Sequence, residues 1–221
     1  MPVYQLAAEH YGFPDPSQAE PDGLLAVGGD LSPKRLVAAY AQGIFPWYSG
    51  KSPILWWSPD PRCVLFLDKF HLPRSLARLI RKNIFQCTLN QNFEGVVEGC
   101  AGGARAKEGT WLTPEMRAAY LRLHRLGLAH SVEAWHNGEL AGGLYGVALG
   151  RVFFGESMFR RVPDASKVAL AFLVQTLQER GTVFIDCQQV TENLLRFGAE
   201  PLPRKIFLEI LGQGLEPPLS S

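Results

Sequence analysis

The amino-acid sequence predicts an α+β fold, because its strand-like segments come in a run and its helical segments lie apart from them. Three short apolar segments follow one another between residues 130 and 156, and Asn137-Gly138 between the first two is typical of a tight hairpin. Thr113-Pro114 has the form of a helix N-cap followed by proline at the first helical position. Strands grouped in this way indicate an α+β protein and not a doubly wound sheet.

The composition is that of a globular protein, with 221 residues, 47% hydrophobic residues, 19% charged residues and a formal net charge of +1. This length accommodates one large domain with a smaller one. We expect a small N-terminal domain over residues 1–62 and a larger domain over residues 63–221. Because the net charge is close to zero, binding of a nucleic acid requires a local basic surface.

Several sequence patterns that indicate cofactors or membranes are missing. The four cysteines include no CxxC spacing and the five histidines no HExxH pattern, so we expect no metal. There is no P-loop and no GxGxxG motif between a strand and a helix, so we expect no cofactor and no use of ATP. We find no secretory signal and no apolar run of the ~18 residues that span a bilayer. The expected protein is therefore soluble and cytoplasmic.

Residues 1–62 are rich in proline, glycine and aromatic residues. Ser32-Pro33 predicts a short helix over residues 34–42 that ends at Gly43. The prolines of residues 44–48 and 54–62 are predicted to exclude regular structure. The three tryptophans of this region form either a small aromatic core or a stacking surface for a ligand. We favour the core for Trp56 and Trp57 and keep both roles open for Trp47.

The rest of the chain has a clear order of predicted elements. A strand over residues 63–67 is followed by helices over residues 73–82, after Asn92, and over residues 114–126. A three-stranded antiparallel meander comes next, and Gly142, Gly143 and Gly146 within it suggest bulges or close backbone contacts. A helix to about residue 180, a strand over residues 183–188, and helices over residues 191–197 and 203–211 complete the order, which fits an N-acyltransferase-like domain.

The predicted helix over residues 73–82 has one strongly basic face. On a helical wheel the apolar residues lie opposite this face, which consists of Arg74, Arg78, Arg81 and Lys82. A charged face on an amphipathic helix is usually only solvated. Here no acidic residue lies between the cations, and like charges at this spacing destabilise a helix. A polyanion such as a phosphate backbone would relieve the repulsion.

Two carboxylates lie in apolar, strand-like surroundings and form the candidate reaction site. Glu156 follows Phe153-Phe154-Gly155, and Asp186 follows Phe184-Ile185. Either both carboxylates lie at strand ends and face water, or they share a site, since an enclosed charge needs a partner. Trp111 is either a hydrophobic staple for the helix that follows it or a lid on a pocket, and we favour the lid because a glycine-rich loop precedes it.

Asp186 and Gln188 are two positions apart on a predicted strand, so they are expected to share a face. Asp186 could then orient the Gln188 amide, and the pair would position an attacking amine. We exclude Cys187 as a nucleophile, because the neighbouring carboxylate disfavours its thiolate. These residues predict amide-bond formation from an acyl donor that arrives already activated.

Several long motifs of this chain, in this order, resemble the leucyl/phenylalanyl-tRNA–protein transferase family. The resemblance covers nearly the whole chain. The motifs are Gly43-Ile44-Phe45-Pro46-Trp47, Ile54-Leu55-Trp56-Trp57-Ser58-Pro59-Asp60-Pro61-Arg62, Glu108-Gly109-Thr110-Trp111, Gly155-Glu156-Ser157-Met158-Phe159 and Ile185-Asp186-Cys187-Gln188.

The resemblance implies a cytoplasmic bacterial enzyme of the N-degron pathway, with a C-terminal domain like the Gcn5-related N-acetyltransferases. Such an enzyme moves Leu or Phe, with Met as a further donor residue, from aminoacyl-tRNA to proteins that begin with Arg or Lys. The rival interpretations are an acyl-CoA N-acyltransferase of the same fold, whose glycine-rich pyrophosphate turn the chain lacks, and a non-catalytic tRNA-binding module. We expect a monomer that needs no membrane.

The resemblance also assigns roles to particular residues. Asp186 and Gln188 would assist the attack of the amine, and Glu156 would either hold the cationic residue of the acceptor or order the site. Trp47 and Trp111 would contact the terminal adenosine, and Arg74, Arg78, Arg81 and Lys82 the tRNA backbone. An apolar pocket for the transferred residue would consist of Leu144, Phe153, Leu173, Leu177 and Ile185.

Overall fold

The computed structural model describes residues 3–7, 9–50, 52–102 and 111–216, which form two β-sheets and the helices that pack on them. The strands are β1 (Tyr4–Leu6), β2 (Leu24–Gly28), β3 (Phe45–Pro46), β4 (Leu55–Trp57), β5 (Arg62–Phe66), β6 (Gln86–Leu89), β7 (Ala129–His136), β8 (Glu139–Leu149), β9 (Val152–Arg160), β10 (Phe184–Gln188) and β11 (Glu200–Leu202). The helices are α1 (Pro33–Tyr40), α2 (Arg74–Arg81), α3 (Phe93–Ala101), α4 (Pro114–Arg125), α5 (Ala165–Glu179), α6 (Glu192–Leu195) and α7 (Arg204–Leu215).

The larger sheet has the strand order β11–β5–β10–β9–β8–β7–β6, and the smaller one β1–β2–β4–β3. In the larger sheet the neighbouring strands are antiparallel except for β9 and β10, which are parallel. A grouped antiparallel sheet with helices on its faces is an α+β arrangement, so the predicted fold class is confirmed.

Local sequence signals account for most of the helix starts. Ser32, Asn92, Thr113 and Thr191 each accept a hydrogen bond from a backbone N–H in the first turn of the helix that follows. Asn137 and Gly138, which connect β7 to β8, have φ angles of 53° and 79°. Positive φ at both positions is what the predicted tight hairpin turn requires, and this prediction is confirmed.

The prediction that prolines exclude regular structure from residues 44–48 and 54–62 is wrong. Phe45 and Pro46 form β3, which pairs with Trp57 and Trp56 of β4. Since β3 is an edge strand, the missing N–H of Pro46 leaves no neighbouring carbonyl without a partner. Trp56 is fully buried and its indole N–H donates to the carbonyl of Gly28 at 2.9 Å, which agrees with the core role favoured for it.

Two hydrophobic cores lie on opposite faces of the larger sheet. One packs α5 against the sheet, and the other packs α3 and α4 against it. The second core also includes buried residues of the smaller sheet, among them Leu25, Ala26 and Trp56. The two sheets therefore share a core, and the division into domains over residues 1–62 and 63–221 stays a prediction.

Candidate functional site

The candidate site opens where β9 and β10 cease to pair. Their parallel register runs from Val152↔Phe184 to Phe154↔Asp186 and ends there. Beyond this point each strand contains a bulge: Glu156 is the extra residue of β9 against β8, and Cys187 is the extra residue of β10 against β5. A bulge bends its strand and redirects a side chain. Residues at and beyond the two bulges line a cavity of about 570 Å³.

Much of the cavity lining is apolar, and this part, which we call the apolar end, contains four of the five predicted pocket residues. Leu144, Phe153, Leu173 and Ile185 line it together with Met158, Leu170 and Leu194. Leu177 does not line the cavity. It lies one helical turn beyond Leu173 on α5, about 6 Å further along the axis, and is buried in the core.

The ring of Phe153 is seated against the backbone of Gly146. A Cβ atom at this glycine would collide with the ring of Phe153 and with the carbonyl oxygen of Phe154. Gly146 also lies beside the β9 bulge, opposite Gly155. The close backbone contact expected for this glycine is therefore confirmed, and the ring that packs on it, that of Phe153, lines the cavity.

The aromatic part of the cavity lining includes the exposed Trp47, and we call this part the mouth. Phe45, Pro46, Trp47 and Trp111 contribute to its lining. Trp47 remains 41% exposed, and its carbonyl accepts a hydrogen bond of 2.6 Å from the indole N–H of Trp57. An exposed aromatic side chain at the edge of a cavity is available for stacking, whereas the buried Trp56 is not. Glu108, Gly109 and Thr110 of the motif that ends at Trp111 lie outside the described residues.

Glu156 forms the polar wall and is held by three side chains. Its Oε1 accepts hydrogen bonds from the Tyr40 hydroxyl at 2.8 Å and from the Gln188 amide at 2.9 Å. Its Oε2 accepts one from the Tyr120 hydroxyl at 2.5 Å. The two tyrosine hydroxyls are themselves 3.0 Å apart. Tyr40 comes from α1, Tyr120 from α4 and Gln188 from β10, so three other parts of the chain meet at this carboxylate.

The pKa of Glu156 is raised from 4.5 to about 7, because burial penalises the charged form more than the two tyrosine hydrogen bonds stabilise it. The charge of Asp186 raises this pKa further, and that of Arg62 lowers it. Burial raises the pKa of both tyrosines well above 10, so their hydroxyls remain protonated donors. Glu156 thus changes its charge near neutral pH.

Asp186 lies behind the cavity and not in its wall. It is 0% exposed, and its two oxygens accept hydrogen bonds of 2.8 and 2.7 Å from Nε and Nη2 of Arg62. Asp186 does not orient the side-chain amide of Gln188, as the sequence suggested. Instead Oδ1 accepts the backbone N–H of Gln188 at 2.9 Å, and the amide donates to Glu156.

The expectation that Asp186 and Gln188 share a strand face rested on regular alternation along β10. The bulge at Cys187 and the positive φ of 62° at Gln188 break that alternation. Gln188 and Cys187 both line the cavity. A contact with the Cys63 thiol, followed by burial, raises the pKa of Cys187 well above its ordinary value. This thiol therefore remains protonated and is a poor nucleophile.

The basic face of α2 lies on the surface. Arg74, Arg78, Arg81 and Lys82 are all exposed, while Leu76 on the opposite side is buried in the core against α5. Within the part of the chain that the structure describes, none of the four cations forms an ion pair. Their charges are therefore available to an external anion.

Sequence reasoning missed Tyr40, Tyr120 and Arg62. The two tyrosines lie on helices whose other residues are ordinary core and surface residues, so no local pattern distinguishes them. Arg62 had one signal, since an arginine at the start of the apolar run Cys63-Val64-Leu65 needs a partner if it is buried.

Among the described residues there is no group of three or more His, Cys, Asp or Glu side chains able to hold a metal ion. Helices that combine the length and the apolar character needed to cross a bilayer are also lacking in this part of the chain.

The fold and the site define a mixed α/β protein with one aromatic-mouthed, largely apolar cleft beside a buried carboxylate. A family model described as leucyl/phenylalanyl-tRNA protein transferase matches residues 64–212, and the model of its N-terminal domain matches residues 29–60. The chain belongs to the leucyl/phenylalanyl-tRNA protein transferase family.

Curated relatives match the chain over nearly its full length. A leucyl/phenylalanyl-tRNA–protein transferase from Magnetococcus marinus is 57% identical, over 99% of this chain and 95% of the relative. One from Nitratidesulfovibrio vulgaris is 57% identical, over 99% and 94%.

Solved structures are more distant. A GCN5-related N-acetyltransferase from Kribbella flavida has a TM-score of 0.41 and 13% identity, over 77% of this chain and 61% of that one. A GCN5-related N-acetyltransferase-like protein from Streptococcus suis has a TM-score of 0.38 and 16% identity, over 72% and 59%.

Proposed function

We propose that this chain is an aminoacyltransferase that moves Leu or Phe from aminoacyl-tRNA to the N-terminal Arg or Lys of acceptor proteins. The product is a new peptide bond, and it marks the acceptor for N-degron proteolysis. The observation that carries the proposal is the apolar slot of Leu144, Phe153, Leu173 and Ile185, which lies beside Glu156 and Gln188 in one cavity. The names of the curated relatives agree with it.

The donor substrate fits the shape of the cavity. Its Leu or Phe side chain occupies the apolar end, and its terminal adenosine stacks on Trp47 and Trp111 at the mouth. An apolar pocket discriminates by only ~1–3 kcal/mol per methylene, so Met is accepted as well. The exposed cations of α2 hold the phosphate backbone of the tRNA.

The reaction needs no ATP, because the aminoacyl ester is already activated. The α-amine of the acceptor attacks the ester carbonyl, a C–N bond forms, and the C–O bond to the ribose breaks. The proton leaves the amine and reaches the ribose oxygen directly, through the vicinal hydroxyl, or by way of the Glu156 carboxylate, which accepts it and passes it on. Glu156 and Gln188, which face the cavity, position the amine, and the pKa of Glu156 near 7 suits a group that accepts its proton.

The acceptor is selected by charge. Within the described residues Glu156 is the one carboxylate in the cavity wall, so it supplies the negative charge that favours an acceptor beginning with Arg or Lys. Asp186 does not line the cavity and acts through its hydrogen bond to the backbone N–H of Gln188. We further propose a monomer, because the residues proposed to bind the aminoacyl end and the acceptor line one cavity of a single chain, and we propose that it works in the cytoplasm.

The test supplies Leu-tRNA or Phe-tRNA together with a peptide that begins with Arg or Lys. Transfer to this peptide is expected, and none to the same peptide beginning with Asp or carrying an acetylated N-terminus. Gln188→Ala should bind tRNA with unchanged affinity but transfer poorly, which separates an enzyme from a tRNA-binding module. Equal labelling of the Lys and Asp peptides would refute the acceptor assignment, and saturable binding of acetyl-CoA by calorimetry would favour an acyl-CoA enzyme.

A further inference from the structure

Arg62 and Asp186 form an ion pair that is closed off from solvent. The side chains of Arg62 and Asp186 are 1% and 0% exposed, and they meet through two hydrogen bonds of 2.8 and 2.7 Å. The guanidinium also lies over two aromatic rings, with Cζ 4.7 Å from the centroids of both Phe45 and Phe207. Its planar group is thus held by two rings and by the carboxylate.

The contacts of this pair lead directly to the candidate site. Asp186 Oδ1 accepts the backbone N–H of Gln188, the residue at the end of the β10 bulge. The side-chain amide of Gln188 then donates to Glu156 at 2.9 Å. On the other side of Arg62, Phe45 lines the aromatic mouth of the cavity. Arg62 therefore touches both the mouth and the strand that carries Gln188, while it does not line the cavity itself.

We propose that Arg62 is a positioning residue for the transfer reaction: through Asp186 it fixes the bulged end of β10 and so aims the Gln188 amide at Glu156. This inference rests on the proposed function, because it names a residue that serves the same site. Gln188 has a positive φ of 62°, a conformation that a glutamine adopts only when its surroundings hold it there. The Asp186 carboxylate supplies that restraint, and Arg62 holds the carboxylate.

A role in stability alone is the simpler interpretation, and energetics argue against it. Two charges removed from water lose their hydration, and buried ion pairs can often be replaced by apolar residues of similar volume without loss of stability. In addition, Nη1 of Arg62 is buried without a hydrogen-bond partner among the described residues, which adds to the cost of the arrangement. The pair is therefore expected to contribute little to the stability of the fold, whereas the position of Gln188 depends on the geometry of the pair.

The experiment is a double-mutant cycle on peptide transfer, with Arg62→Lys and Gln188→Ala, at saturating aminoacyl-tRNA. Lysine keeps the charge but cannot form the two-point contact with Asp186. For a positioning residue, R62K lowers kcat by about tenfold to a hundredfold with little change in the KM for tRNA. In the Q188A background the same substitution changes kcat by less than about twofold, because its target has gone. An equal loss in both backgrounds, or no loss in either, overturns the proposal.

A second variant distinguishes an effect on the position of Gln188 from an effect on the folding of the chain. Arg62→Met with Asp186→Leu replaces the pair by side chains of similar size, and we expect a folded chain whose kcat falls as far as that of R62K. If this double variant keeps its wild-type kcat, Gln188 does not need the pair, and if neither it nor R62K folds, the pair is a requirement of the fold; the inference fails in both cases. Absence of transfer by the wild-type chain would instead refute the proposed function, so the two failures are distinguishable.

Discussion

Glu156→Gln tests the electrostatics of the site, because it removes the titrating group and keeps its shape. The pKa of Glu156 is about 7 in the folded chain and 4.5 when the carboxyl is fully hydrated, and burial is the main cause. Between these two pH values the folded chain holds a proton that the unfolded chain has lost. The free energy of unfolding therefore falls as pH rises through this window.

At ~1.4 kcal/mol per pH unit, the ionised Glu156 costs the fold about 3 kcal/mol above pH 7, an upper value because the cleft admits water. Urea unfolding at pH 5 and pH 8.5 measures the effect. We expect the wild type to lose more stability than E156Q between the two values. Glu209→Gln, a change at an exposed glutamate of α7, serves as the control and should behave like the wild type. Identical pH dependence in all three proteins would show that Glu156 is not perturbed.

The same variant has a kinetic consequence. If the Glu156 carboxylate accepts the proton of the attacking amine, transfer by the wild type rises with pH through about 7. The acceptor's own α-amine titrates at about 7.7–8.0, and only that second inflection should remain in E156Q. An E156Q profile that keeps both inflections would assign the lower one to another group.

Two further predictions concern the basic face of α2 and the pocket. Arg78→Glu or Arg81→Glu should each weaken tRNA binding and reduce the slope of log K against log salt by about 0.7–0.9, while Lys205→Glu, at an exposed position of α7, should not; an unchanged slope removes α2 from the interface. Leu173→Ala enlarges the pocket and should shift transfer from Leu towards Phe by about tenfold or more. The control Leu177→Ala should cost ~2–5 kcal/mol of stability without changing this preference. Equal shifts in preference would place both residues in the pocket.

Turn and cap chemistry accounts for what was predictable of the fold. Asn137-Gly138 specifies a turn with two positive φ angles, and Thr113 specifies a helix start, whatever the rest of the chain does. Both are decided within four residues, so the sequence contains the whole signal. The short strands β3 and β4 could not be predicted from local sequence, because they form by pairing with other strands. The prolines in and near them argue against regular structure.

The site was predictable in its residues but not in its connections. Glu156 and Gln188 were recognisable as polar residues in apolar strands, and they do meet in one cavity. The partner of Asp186 was not recognisable, because Arg62 is 124 positions away in the sequence. The direction of the Gln188 side chain was not predictable either, because the i, i+2 rule for strands fails at a bulge. A bulge inserts one residue, so every later side chain of the strand points to the opposite face of the sheet. The local sequence does not predict where such a bulge occurs.

A cleft within a sheet requires that backbone groups beyond its opening find other partners. Once β9 and β10 cease to pair after Asp186, the N–H of Gln188 has no partner on β9, although Gln188 still pairs with Cys63 of β5, and a buried donor without a partner costs about 1–3 kcal/mol. The Asp186 carboxylate accepts that N–H, and the Gln188 amide in turn binds Glu156 on the opposite side of the gap. Side chains thus replace the missing ladder bonds across the opening. The carboxylate that sequence reasoning assigned to the reaction therefore holds the backbone of β10 at the point where the sheet opens.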